Sequence, residues 1–181
     1  RRVLFRSLGH MGGYHASVAA TLSSAVLIGV ADLNAKNFQK IKSPGVLCTN
    51  NYKELLPLVD AVIIALPTDF HYEVAKEALL SGVHVLIEKP VTRTVAQADE
   101  LFELAKQKNL TLHVGHVERF NGALQELKKF INTPHLIEMQ RVGPFNSRVA
   151  SDSVILDLMI HDLDIALNLV ASPLENFNVV G

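Results

Sequence analysis

A chain of 181 residues, 49% of them hydrophobic, can bury a sizeable core and fits one domain with the beginning of a second. Its formal net charge of −1 offers no basic field for nucleic acid or an anionic membrane surface. A single cysteine, Cys48, excludes an internal disulfide and a cysteine-rich zinc site, and a cytoplasmic location is expected. No signal peptide is read, and the most apolar long window, 154–171, carries Asp157, His161, Asp162 and Asp164, which argues against a membrane span.

The first seven residues fit poorly. As the opening strand of a parallel sheet they place Arg2 and Arg6 where side chains should be almost continuously apolar. Arg-Arg-Val-Leu-Phe-Arg-Ser also matches the in-frame translation of a common short-read sequencing adapter. Residues 1–7 are therefore expected to be a non-native scar, with native sequence beginning near Leu8, and they are set aside from functional reasoning.

Ser7-Leu8-Gly9-His10-Met11-Gly12 comes next, followed by a helical pattern through Leu22. A glycine-rich turn from strand to helix lets the backbone approach a pyrophosphate, which rests on the amides of the helix N-terminus. The G-x-G-x-x-G fingerprint has Ser7 at its first glycine position here, which weakens the match, and a plain tight turn needs glycine for the same backbone reasons. A second apolar run, 25–31, stops at Asp32, about twenty positions past Gly12. A carboxylate there accepts hydrogen bonds from both adenosine ribose hydroxyls and repels a 2′-phosphate, favouring NAD over NADP. Asp32 can equally cap a following helix.

Strand and helix then alternate. Residues 34–41 read as a short helix, 46–48 as a short strand, and 52–56 as helical turns closed by Pro57. The most apolar strand, 59–66, exits at Pro67 and Thr68. Thr68 or Asp69 can cap the helix 70–80, whose first turn carries His71. Residues 83–90, Val-His-Val-Leu-Ile-Glu-Lys-Pro, form an apolar strand that ends in Glu88 and Lys89, with Pro90 forbidding further ladder bonds. Such strand ends are where open α/β sheets bind ligands.

Thr94 to Gln97 is a capping box opening a helix to about residue 108, and 110–115 is a sixth strand. His113 and His116, three apart, fall on opposite faces of a strand, so no metal is assigned to them. Six strands with a phosphate turn after the first and an acidic residue ending the second predict a doubly wound dinucleotide-binding domain over 8–117. The remainder, 118–181, reads as the start of an α+β domain: a helix over 118–130, a strand over 136–142, a polar loop over 143–153, then a helix over 154–170. At about 100° per residue, Asp157, His161, Asp164 and Asn168 of that helix share an arc of about 60°, while the rest of its surface is apolar and Asp162 points elsewhere. A narrow arc without lysine or glutamate suits a cleft better than a solvated face. Asp157 and His161, at i and i+4, have the spacing for a carboxylate to orient an imidazole.

With these pieces in place the chain resembles the Gfo/Idh/MocA oxidoreductases. The resemblance rests on Gly9-His10-Met11-Gly12 with Tyr14-His15-Ala16, Asp32, Leu66-Pro67-Thr68 with His71, Glu88-Lys89-Pro90, and Asp157-x-x-x-His161. It implies a Rossmann domain followed by a second domain with a large open sheet, inside which the chain stops as a truncated fragment. It further implies that Lys89, Asp157 and His161 are catalytic, that Glu88 lies by the nicotinamide ribose, and that Pro67, Thr68 and His71 approach the cofactor. A homo-oligomer is expected of the full-length protein, since that sheet often forms the subunit interface in the family.

Alcohol oxidation needs a base while hydride leaves carbon, and histidine is the residue type that titrates near neutrality. His161 is the expected base, Asp157 its orienter, and Lys89 the cation beside the developing alkoxide. The strings 114–121 and 154–162 look like those of members that oxidise UDP-N-acetylglucosamine at C3, with Arg119 a candidate for the diphosphate, although an exposed helix arginine is the default. A myo-inositol or hexose dehydrogenase is the alternative within the family. Outside it stand a non-catalytic NAD-binding sensor and a metal-dependent lyase or epimerase using Asp157, His161 and Asp164.

Overall fold

The computed structural model describes residues 2–131, 134–142, 153–170 and 172–180. They divide into two compact units, one ending at Gly115 and the other starting at His116. The first unit is built on β1 (Arg2–Arg6), β2 (Val26–Ala31), β3 (Leu47–Thr49), β4 (Ala61–Ile64), β5 (His84–Glu88) and β6 (Leu112–Gly115). All pair in parallel, in the order β3-β2-β1-β4-β5-β6. This is the Rossmann order, with its reversal point between β1 and β4.

Alternation along the strands feeds two cores. Leu4, Val62, Ile64, Val85 and Ile87 face one side, against Val74, Ala78 and Leu79 of α2 (His71–Leu80) and Leu101 and Ala105 of α3 (Val95–Gln107). Val3, Phe5 and Val30 face the other, against Ala16 and Ala19 of α1 (His10–Ala19). Helices therefore cover both faces, as buried parallel strands require.

The segment set aside as a scar forms the central strand. Its two arginines are accommodated by partners distant in sequence: Arg2 lies at the exposed entry and pairs with Asp60 at 2.9 Å, while the buried Arg6 guanidinium stacks 5.3 Å from the Tyr52 ring centre. β1 is thus part of the folded unit, which includes residues before Leu8.

Other expectations shift locally. The helix over 34–41 is a 3-10 segment, Ala35–Lys40, capped by the Asn34 side chain. Thr68 and Asp69 cap nothing: a 3-10 turn, Thr68–Phe70, leads into α2 without a side-chain cap, and Asp69 pairs with Arg93 at 2.7 Å. Thr94 does cap α3, accepting from the Gln97 amide at 3.3 Å.

In the second unit the helix over 118–130 breaks at Asn121. A 3-10 turn, Val117–Phe120, ends there, and the Asn121 side chain caps α4 (Gly122–Leu127). Residues 136–142 form no strand, and Leu136 and Val142 are exposed; the loop over 143–153 lies, except for Ser153, outside the described residues. The last helix is a π-helical turn, Ile155–Met159, running into α5 (Ile160–Leu169). On its apolar sides Val154, Ile155, Leu158, Met159, Leu163 and Leu167 are exposed, and only Asp164 and Ile165 of this helix are buried. No helix among the described residues is long and apolar enough to cross a membrane.

Candidate functional site

The expected cofactor residues of the first unit gather at the carboxyl edge of the sheet. Gly9 stands at the N-cap of α1, and His10, Met11 and Gly12 form its first turn. Ser7, at the first glycine position of the fingerprint, takes a φ of 81°, a left-handed conformation that glycine adopts at little cost. Gly12 is required by contact: a Cβ there would overlap the Ser7 carbonyl. The turn and the helix start are therefore pressed together, which lets the backbone amides of the helix start approach a ligand.

Asp32 closes this turn from β2. Its carboxylate accepts from the Leu8 amide at 2.6 Å and the Asn34 amide at 2.8 Å. Burial pushes its pKa up, but these two amides, the Asn37 side chain and the nearby Arg6 outweigh that and hold it below the ordinary value. The helix-cap alternative for Asp32 falls instead to Asn34, whose side chain accepts from Lys36. Lys40, singled out by no sequence pattern, donates from Nζ to the Leu8 carbonyl at 2.7 Å. A cleft of about 570 Å³ opens beside α1, lined by Gly9, His10, Gly13, Tyr14, Ser17 and Lys40 among others, a size suited to part of a small ligand.

Pro67 and Thr68 follow β4, and Thr68 is buried. His71 is wholly buried, with Nδ1 2.8 Å from the Pro90 carbonyl and Nε2 2.8 Å from the Leu66 carbonyl. It therefore ties the loop after β4 to the loop after β5 and does not itself reach the surface. Both partners are acceptors, so a neutral ring satisfies one and only the imidazolium both. Burial is the larger influence and lowers the His71 pKa, against the pull of the carbonyls and Glu88.

Glu88 is the last residue of β5 and Lys89 follows it, half-buried. The Glu88 carboxylate meets His15 of α1, Oε1 to Nε2, at 2.5 Å. His15 stands in the Tyr14-His15-Ala16 string, where no spacing in the sequence points to a role for it.

In the second unit Asp157 sits in the π-helical turn and His161 in the first turn of α5, both half-buried. The Ile160 amide reaches the Ile155 carbonyl, one residue further back than an α-helix allows, and such turns are frequent at functional sites. Asp164 is not open to a ligand on this helix: Arg119 grips it from Nε at 2.8 Å and Nη2 at 2.5 Å. The Arg119 hydrogen bonds hold the Asp164 carboxyl below its ordinary range despite burial, helped by His116 and His161. Asn168 continues the arc, donating to the Asp164 carbonyl at 2.7 Å, while Asp162 turns away to Arg141. Among the described residues no group of three or more histidine, cysteine or acidic side chains could hold a metal ion.

A family model described as "Oxidoreductase family, NAD-binding Rossmann fold" matches residues 2–116. The chain belongs to the Gfo/Idh/MocA oxidoreductases. It is 38% identical over 177 residues to UDP-N-acetylglucosamine 3-dehydrogenase of Acidithiobacillus ferrooxidans, a match covering 96% of the chain and 56% of that protein. A solved structure of that enzyme superposes with a TM-score of 0.85 at 38% identity, covering 93% of this chain and 56% of the other. Myo-inositol 2-dehydrogenase of Thermotoga maritima is 27% identical, covering 93% of the chain and 54% of that protein. The chain thus spans about half the length of these relatives.

Proposed function

We propose that the full-length protein is an NAD-dependent dehydrogenase that oxidises a secondary alcohol of a nucleotide sugar, at C3 of UDP-N-acetylglucosamine. The supporting observation is the 38% identity to a dehydrogenase of that name along 96% of the chain, a span that takes in both Glu88-Lys89-Pro90 and Asp157-x-x-x-His161.

NAD fits the residues present. The Gly9 to Gly12 turn leaves backbone amides for the pyrophosphate, and an ionised Asp32 accepts the two adenosine ribose hydroxyls and opposes a 2′-phosphate. When bound, NAD supplies the hydride acceptor. The chain's own groups do the rest. His161 takes the substrate hydroxyl proton on a ring nitrogen as the carbonyl forms, and Asp157 holds the imidazole in the accepting tautomer and stabilises its cation. Lys89 places positive charge by the developing alkoxide, an effect of about 3 kcal/mol for a preorganised donor.

Carbon NMR of the product tests the regiochemistry. A new ketone carbon at C3 of UDP-N-acetylglucosamine, formed with stoichiometric reduction of NAD, is the expected outcome. A ketone at another ring position, or turnover of free polyols alone, overturns the substrate assignment.

A further inference from the structure

The contact between α1 and the end of β5 links two parts of the cofactor edge that are otherwise separate. His15 lies on α1 a little under one turn beyond Gly12, and α1 is fixed to the sheet through buried Gly12, Ala16 and Ala19. Its Nε2 stands 2.5 Å from Glu88 Oε1, with the two side chains 20% and 11% exposed. An ionised carboxylate only accepts, so the imidazole donates from Nε2.

The other wall of this contact is Gly115. Glu88 and Gly115 are direct partners in the β5·β6 ladder, and a Cβ on residue 115 would lie 3.1 to 3.2 Å from the Glu88 carboxylate carbon and oxygens. That is tighter than ordinary van der Waals contact, so glycine gives the carboxylate room to lie over β6 while His15 holds it from α1. The carboxylate orientation is therefore set jointly by the helix that carries the pyrophosphate turn and by the glycine of β6.

We propose that His15 is a positioning residue for the nicotinamide half of the cofactor, acting through the Glu88 carboxylate and sparing the adenosine half. It rests on the NAD-dependent function proposed above. A side chain that only packed α1 onto the sheet would affect both halves of the cofactor alike, because the pyrophosphate turn and α1 are continuous. One that aims Glu88, which ends β5 on the opposite side of β1 from Asp32, affects the nicotinamide half alone.

Calorimetric titration of the full-length protein with NAD and with ADP, which shares the adenosine and pyrophosphate but lacks nicotinamide riboside, separates these cases. In His15→Ala the Kd for NAD is expected to rise about tenfold, the scale of a lost hydrogen bond to a charged group, while the Kd for ADP stays unchanged. His15→Gln, which can still donate an N–H toward Glu88, should recover most of the NAD affinity. In a Glu88→Ala background, His15→Ala should have no further effect on NAD, since coupled residues are non-additive. Equal weakening of NAD and ADP, no weakening of NAD, or additive effects of the two substitutions would each overturn the proposal. Failure of the cofactor assignment itself looks different: the unsubstituted full-length protein then binds neither nucleotide, and both statements fall together.

Discussion

Arg119 holds Asp164 with two nitrogens, Nε to Oδ2 at 2.8 Å and Nη2 to Oδ1 at 2.5 Å, across 45 residues of sequence. The pair joins the Val117–Phe120 turn to α5, the helix that presents His161. Asp164 is buried and Arg119 half exposed, so the pair falls between a surface bridge and a desolvated one. Arg119→Ala is expected to cost about 1–2 kcal/mol at neutral pH, with Arg119→Lys keeping part of it, because lysine lacks the fork that meets both oxygens. The Asp164 pKa is depressed below the ordinary 3.8, so this stabilisation is present above that value and is lost as pH falls through the lower folded value. Urea melts of both variants across an acid series check the magnitude and the pH at which the difference closes.

Ser7 and Gly12 make opposite predictions on one turn. Ser7 pays for a left-handed φ, so Ser7→Gly is expected to raise stability by a few tenths to about 1 kcal/mol, the strain relief outweighing the added freedom of the unfolded chain. Gly12→Ala must displace the Ser7 carbonyl, and NAD binding should be abolished. Thermal melts with and without NAD separate the two effects. An unstrained Gly12→Ala that binds NAD normally would contradict the geometry described for the turn.

Asp32 serves both fold and cofactor choice. Asp32→Ala strands the Leu8 and Asn34 amides, and a loss of about 1–3 kcal/mol is expected from the unsatisfied donors. Asp32→Asn keeps an acceptor but removes the charge that repels a 2′-phosphate, so the ratio of NADP to NAD affinity should rise at least tenfold. Parallel titrations with the two nucleotides provide that ratio.

His71 bridges two carbonyls while fully buried. Its pKa is lowered from the ordinary 6.5 by burial, so the unfolded chain binds the proton more readily and stability should decline as pH falls from 6.5 toward the lower folded value. His71→Ala removes the one hydrogen bond that the neutral ring donates to the Leu66 or Pro90 carbonyl and is expected to cost about 2 kcal/mol while removing that slope. Denaturant melts between neutral and mildly acidic pH test both.

Most of the sheet was legible because its strands announce themselves locally. Runs such as those of β2, β4 and β5 are apolar, stop at Asp32, Pro67 and Pro90, and alternate with helical patterns. Thr94 and Gln97 likewise marked the start of α3. What was not legible depends on partners far away along the chain. β1 looked unsuitable because Arg2 and Arg6 are charged, and Asp60 and Tyr52 are what accommodate them. His15 and Glu88 are 73 residues apart, and no spacing rule joins them. The arc on the last helix is legible as a set of polar positions, but spacing could not tell that Arg119 already occupies Asp164. The break at Asn121-Gly122 was visible as residues and missed as a cap, since apolar periodicity on both sides read through it.

The origin of residues 1–7 is a separate matter from their place in the sheet. If they are an adapter scar, resequencing the source locus should show different codons upstream of Leu8, including a glycine codon at position 7, where the backbone is left-handed. A genomic read encoding Arg1 to Ser7 unchanged would show the segment to be native.

The dehydrogenase assignment is tested most directly by incubating the full-length protein with NAD and, separately, UDP-N-acetylglucosamine, myo-inositol and glucose, following the absorbance of reduced nicotinamide. Reduction with the nucleotide sugar alone is expected, falling by at least about a hundredfold in Lys89→Ala and in His161→Ala. Binding of NAD with no reduction by any of the three, or reduction that survives both substitutions, would contradict it.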